Sequence, residues 1–327
     1  MIKIKKSLVL ALLLIFAISL VEGKDIKKVG QTGLQFLKVD VGARAAAMGG
    51  AYSMVGQDAT AMFHNPAGIS EMKQNFDITT SQSQWIADIT YSSIGIVKNL
   101  ENFGAIGLTA TSSDYGKIQG TVVADNEQGY RETGNVETGA YAIGINYGRQ
   151  LIERFFIGGQ VKYAAQHLGS SKYGGKSHTN KVSGLVFDFG TIYYTGLKDH
   201  KIGMTIRNFS RQFEYEEYSF NLPLTFTIGT SIDVMKFVPN HSNPLTISFD
   251  AIHPRDYYER MQLGAEYIWG DILALRAGYK FNYTQQGLNL GVGLNPEISG
   301  LDLKVDYSFS QMGVFNPVHR FSIGITY

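Results

Sequence analysis

The 327-residue chain contains no cysteine. This excludes a disulfide framework and an acylated N-terminal cysteine. Proline is scarce, with 7 residues, and tryptophan scarcer, with 2. Neither sign of charge is in excess: 29 Lys and Arg face 28 Asp and Glu, a formal net charge of +1, so no basic surplus points to nucleic acid. Long apolar runs are missing except for one. Residues 7–20 form an apolar stretch of 14 residues, short of the roughly 18 to 20 that a helix needs to cross a bilayer. The mean hydropathy of −0.06 is too polar for a helical membrane protein. No G-x-S-x-G, H-E-x-x-H or P-loop occurs, and the 7 histidines have no ligand spacing. The expectation is a protein that is not an enzyme and carries no metal or cofactor.

What is present begins with a leader. Lys3, Lys5 and Lys6 precede the apolar run, and Val21-Glu22-Gly23 places small residues at the usual −3 and −1 positions. Residues 1–23 therefore read as a cleaved secretory signal peptide. They carry three Lys and one Glu, so removing +2 from +1 leaves the mature chain near −1.

The far end is equally informative. In Pro317 to Tyr327, Phe321, Ile323, Ile325 and Tyr327 share one side of an extended strand, while Arg320, Ser322, Gly324 and Thr326 share the other. The same alternation recurs from Leu273 to Thr284, Leu288 to Leu294 and Leu301 to Ser310, with charge or glycine on one face and apolar groups on the other. Glycine numbers 37, and Tyr and Phe 19 each. Strands that are half lipid-facing and half lumen-facing reconcile a polar mean with residence in a membrane. The fold expected over residues 74–327 is all-β, an antiparallel transmembrane barrel of about 14 strands, the even number that a single-chain bacterial barrel closes with. Strands are expected to start near residues 75, 89, 103, 138, 153, 180, 199, 223, 242, 257, 271, 286, 300 and 317. Residues 168–180 and 209–222 read as long polar loops and Gly270-Asp271 as a tight turn. The longest break, 112–138, reads as an extracellular loop holding a short hairpin.

Residues 41–73 break the alternation. Ala43 to Met48 favours helix and stops at Gly49-Gly50. Gln57 to Met62 suggests another helical turn, and Asn65-Pro66-Ala67-Gly68 a tight turn. Small residues permit close backbone packing, so residues 24–73 are read as an N-terminal segment ending in a partly helical hatch inside the lumen.

The runs G-A-R-A-A-A-M-G-G-A-Y and D-A-T-A-M-F-H-N-P-A-G resemble the N-terminal region of the PorV/PorQ family of outer-membrane proteins, within the broader FadL-type barrels. The resemblance continues through Gln84 to Ile89, Leu263 to Tyr267, Leu275 to Lys280, Val305 to Phe309 and His319 to Ser322. It implies a 14-stranded barrel in the bacterial outer membrane and a hatch motif at Arg44, Gly49, Gly50, Asp58, Asn65 and Pro66. Asp58 is expected to pair with a lumen Arg and Asn65 to cap the turn that seats the hatch. The C-terminal Phe321, Ile323, Ile325 and Tyr327 resemble the signal read by barrel-insertion machinery.

Glu266, Arg276, Lys280, Asp302, Lys304, Asp306 and Arg320 are the expected polar lining of the lumen. Interleaved signs there brace a barrel rather than poise a carboxylate for proton transfer. Two functions remain open. The family resemblance implies a protein-interaction accessory of type IX secretion and surface attachment, whose partners are secretion components or cargo. The FadL kinship implies a channel for hydrophobic small molecules. Outer-membrane lipid is a partner in both.

Overall fold

The computed structural model describes residues 30–173 and 176–327. The signal peptide expected over residues 1–23 and the stretch 24–29 lie outside the described residues.

Fourteen antiparallel strands close into a barrel. They are β1 (Phe76–Gln84), β2 (Thr90–Asn99), β3 (Ala105–Asp114), β4 (Gly139–Ile152), β5 (Phe155–Tyr173), β6 (Lys176–Tyr194) and β7 (Lys201–Phe209), then β8 (Thr225–Asp233), β9 (Leu245–Pro254), β10 (Arg260–Trp269), β11 (Leu273–Phe281), β12 (Leu288–Leu294), β13 (Leu301–Ser310) and β14 (Val318–Thr326). Each pairs with its chain neighbours, and β14 closes the ring on β1 with Asp77 opposite Thr326 and Gln84 opposite His319. No helix among the described residues is long and apolar enough to cross a membrane.

Most strands hold 9 or 10 residues, the length that crosses a bilayer as a tilted barrel strand. Side-chain direction alternates as the pleat requires. On β11, Leu275, Ala277, Tyr279 and Phe281 are exposed, while Ala274, Arg276, Gly278 and Lys280 are buried. On β14, Phe321, Ile323 and Ile325 point outward and Arg320, Ser322 and Thr326 inward, with Tyr327 exposed just past the strand. Repeated round the ring, this gives an apolar outer belt and a polar lumen. β1 is the exception: its exposed residues Thr80, Gln82 and Gln84 are polar. Tyr194 turns inward and donates its hydroxyl to Glu71.

The two longest links, 115–138 and 210–224, lie at one end; the other end has tight connections at 153–154 and 270–272, the link 234–244 and both ends of the barrel sequence. Residues 115–138 contain the hairpin Ile118–Val123 with Tyr130–Val136. The expected loop at 168–180 is not a loop. β5 and β6 are each 19 residues long and stay paired with each other out to Tyr173 and Lys176. Their outer neighbours stop earlier, β4 with Gly139 opposite His167 of β5 and β7 with Phe209 opposite Phe187 of β6. The excess, at ~3.3 Å rise per residue, forms a two-stranded ribbon standing above the barrel.

Candidate functional site

Residues 30–73 run through the lumen and touch strands on every side of it. Helix α1 (Ala43–Ala47) packs on β11, β12, β13 and β14, the 3₁₀ turn Ala59–Phe63 on β1, β2 and β3, and the 3₁₀ turn Pro66–Glu71 on β3 to β6. Alanine favours the helix, and Gly49 and Gly50 end it with φ of 66° and 82°, a backbone region that side chains disfavour. The expected Asn65 turn instead opens a 3₁₀ turn: Asn65 Oδ1 accepts from Ala67 N at 3.0 Å, with Pro66 in the first helical position. Asn65 Nδ2 also donates to the Ser53 carbonyl at 2.9 Å and, across to β6, to the Thr191 carbonyl at 3.3 Å.

Inward glycines make the seat. A Cβ on Gly264 or Gly278 would collide with the backbone of Met48, and one on Gly158 with Pro66 and Ala67. Backbone thus lies against backbone, which only missing side chains allow.

Charge fastens the segment to the wall. Arg44 pairs with Glu266 at 2.7 Å and with Asp58 at 3.7 Å. Glu266 is shared with Arg276 at 2.6 Å, and Arg276 reaches Asp306 at 2.6 Å. Asp58 pairs with a lumen Lys rather than the expected Arg: Lys304 lies at 3.1 Å and also reaches Asp77 at 3.4 Å. Lys280 holds Asp40 at 2.5 Å. Hydrogen bonds outside the ion pairs add to this. Asp250 accepts from Ser53 N at 3.1 Å and from its Oγ at 2.5 Å. Ala43 N donates to Ser322 Oγ at 2.6 Å, and Ser231 Oγ to the Met54 carbonyl at 2.9 Å. Arg320 is buried, donates to Ser310 Oγ at 2.9 Å and lies 5.2 Å from the Trp85 ring centre. Asp302 is not part of this lining. It sits exposed near the end of β13, with no ion pair among the described residues.

Burial alone would raise the Asp58 carboxyl, but Lys304 and Arg44 overcome it and hold it at about 2. Asp40 is likewise held well below the usual carboxylate range by Lys280 and Arg320, against the effect of burial. His64 goes down as well, to about 4, because it is buried and Arg207 lies nearby. Its Nε2 is 2.9 Å from the Val41 carbonyl.

Sequence reasoning missed several of these partners. Asp77 lies on a strand with a weak alternation signal, and Asp40 and Glu71 lie in irregular chain where no period exists to sort inward from outward. Glu71 pairs with Lys201 at 3.1 Å.

The segment divides the lumen. Toward the turn end opens a polar vestibule of about 1220 Å³, reached by Glu71, Lys201 and Glu266. Toward the loop end, Leu34 and Phe36 join inward Ala140, Ala142, Ala164, Val182 and Val186 and the loop residues Phe213 and Leu222 in an apolar cluster. Beside it lies a second cavity of about 310 Å³ whose wall includes Lys38, Arg207, Arg260 and Lys280.

No protein-family model matches the chain. No curated protein matches it in sequence. Solved structures do match in fold. The toluene transporter TodX of Pseudomonas putida is 12% identical with a TM-score of 0.58, over 88% of this chain and 97% of that one. The toluene transporter TbuX of Ralstonia pickettii is also 12% identical, with a TM-score of 0.57 over 88% and 97%. A FadL homologue of Pseudomonas aeruginosa is 11% identical, with a TM-score of 0.55 over 88% and 98%. The chain therefore has the 14-stranded barrel fold of the FadL-type outer-membrane proteins.

Proposed function

We propose that this chain is an outer-membrane channel for small hydrophobic molecules, with residues 30–73 as the hatch that must shift to let them pass. It acts by binding and passage rather than by catalysis. The observation that carries the reading is a closed barrel whose lumen is filled by its own N-terminal segment, fastened through Arg44, Asp58 and Asn65 to opposite walls. A barrel built only to scaffold the membrane has no use for a removable filling. The apolar cluster round Leu34 and Phe36 offers an entry surface on the loop side. The apolar belt suits lipid, and the tight turns suit the periplasmic side. The fold is shared with two proteins described as toluene transporters. In cells whose outer membrane lacks other channels of this fold, expressing the chain is expected to speed uptake of labelled toluene. Uptake equal to that of cells without it overturns the reading.

A second reading is the PorV/PorQ-type accessory of type IX secretion. The feature that favours it is the β5–β6 ribbon with the neighbouring 115–138 hairpin, two arms that reach beyond the barrel and suit protein contact. Recovery of secretion components in a pull-down from gently solubilised outer membranes supports it; a lone barrel carrying bound lipid counts against it.

A further inference from the structure

We propose that the 310 Å³ loop-side cavity is a binding site for a small aromatic carboxylate, so that aromatic acids are admitted from outside beside neutral aromatic molecules. The inference rests on the transport reading and adds a substrate class to it.

Charge is the first observation. Lys38, Arg207, Arg260 and Lys280 line the cavity, and Asp40 is the one carboxylate in its wall. Lys280 is engaged with Asp40 at 2.5 Å, and Lys38 with Asp256 at 2.7 Å, just behind the wall. Four cations less these two carboxylates leave a surplus of two, carried by Arg207 and Arg260. Neither has a carboxylate within ion-pair distance among the described residues. Other lumen cations, Arg44, Arg276, Lys162, Lys201 and Lys304, each have a carboxylate partner. An uncompensated guanidinium inside a protein is costly, and an anionic ligand removes that cost.

Unused donors are the second observation. The Nε atoms of Arg207, Arg260 and neighbouring Arg320 are all buried and find no hydrogen-bond partner. Arg207 spends one terminal nitrogen on the Phe63 carbonyl at 2.8 Å. Arg260 is held differently. Its guanidinium carbon lies 4.0 Å from the Tyr257 ring centre and 4.2 Å from that of Tyr283. Stacked rings fix the plane of a guanidinium and leave its in-plane N–H groups for a bidentate carboxylate.

Size and wall chemistry set the rest of the ligand. Trp85, Tyr91, Ile252 and Pro254 complete the wall, so a flat apolar body is accommodated beside the cations. A volume of about 310 Å³ lies at the small end of the usual range for ligand pockets. It suits one ring rather than a long acyl chain.

The test is calorimetric titration of the purified full-length mature chain with benzoate and with the neutral benzyl alcohol, repeated on Arg260→Gln and Arg207→Gln. Heat-modifiable gel migration confirms that each variant is folded, and Arg260→Lys serves as a further variant that keeps the charge but loses the fork. Benzoate is expected to bind the wild-type chain at least tenfold more tightly than benzyl alcohol. Arg260→Gln is expected to weaken benzoate at least tenfold and leave benzyl alcohol unchanged, with Arg260→Lys between. Three results overturn the proposal: equal binding of the two probes, benzoate binding indifferent to both Gln variants, or displacement of benzoate by an equal concentration of inorganic phosphate, which would mean that the ring is not recognised. The toluene uptake measurement is independent of this titration. Uptake without benzoate binding removes the anion site and leaves the channel standing, whereas loss of uptake removes the channel reading itself.

Discussion

Glu266 is 2% exposed and sits between two guanidinium groups, Arg44 from the N-terminal segment and Arg276 from β11. Removing one member of a buried ionic set costs about 3–5 kcal/mol, because the partners are left charged and unpaired. Glu266→Gln is therefore expected to lower the temperature at which the protein loses its heat-modifiable gel form, with a larger drop than Asp302→Asn, since Asp302 is exposed and outside the network. Equal shifts would show that the network contributes nothing. His64 makes the seating sensitive to acid. Its value of about 4 in the lumen lies below its ordinary value of 6.5. Protonation therefore favours the released segment: the contribution is fully present above pH 6.5 and is lost as pH falls toward 4, by up to about 1.4 kcal/mol per unit. Asp40 opposes this loss, while Arg207 and Lys280 add to it, and the Tyr52 ring packs edge-on at 5.1 Å. Asp58, held at about 2, stays charged throughout that window. Protease cleavage near Arg44 should thus rise between pH 6.5 and 4 in the wild-type chain and rise less in His64→Gln. The same rise in both would assign the effect to another group. At this scale the sequence was readable only where it had a period. Glu266, Arg276, Lys280 and Lys304 stood out because each alternates with apolar neighbours on its strand. Their partners Asp40 and Asp77 did not, and the choice of Lys304 over an arginine for Asp58 depends on register between strands far apart in the chain.

At the scale of elements, β14 pairs on one side with β13 and on the other with β1, so it both completes and closes the ring. Deleting Phe321 to Tyr327 removes most of both ladders along with the terminal outward aromatic. The truncated chain is expected to be lost from the outer-membrane fraction and degraded, as cell fractionation would show; normal membrane levels would mean that closure and insertion do not depend on this strand. The β5–β6 ribbon should behave in the opposite way. Neighbouring strands have stopped before its tip. Replacing residues 169–180 with a two-residue Asn-Gly turn should leave the barrel folded, with the heat-modifiable form retained. Loss of that form would show the ribbon to be part of the barrel's stability. Strand existence was legible because lipid on one side and a polar lumen on the other force a two-residue period, and the observed starts fall close to those read from the pattern. The ribbon was not: residues 168–180 are mostly Gly, Ser, Lys and other polar residues with no apolar alternation, and so they look like a loop. β1, with polar Thr80, Gln82 and Gln84 outward, shows how weak the signal becomes when one strand departs from the rule.

At the scale of the molecule, the lumen is a packed interior made from two unlike parts, a wall whose inward glycines admit backbone and a segment rich in alanine and methionine that fills it. Composition alone indicated that residues 41–73 suit close packing, but not which strands they touch, since contacts such as Met48 on Gly264 and Gly278 join residues more than 200 positions apart. The central claim is that this segment occludes a membrane-spanning barrel, and single-channel recording in planar bilayers tests it most directly. The intact mature protein should conduct poorly. The variant lacking residues 41–73, verified as inserted and heat-modifiable, should carry the large steady current of an open 14-stranded pore. Open-pore conductance with the segment in place, or no gain when it is removed from an inserted barrel, would contradict the account.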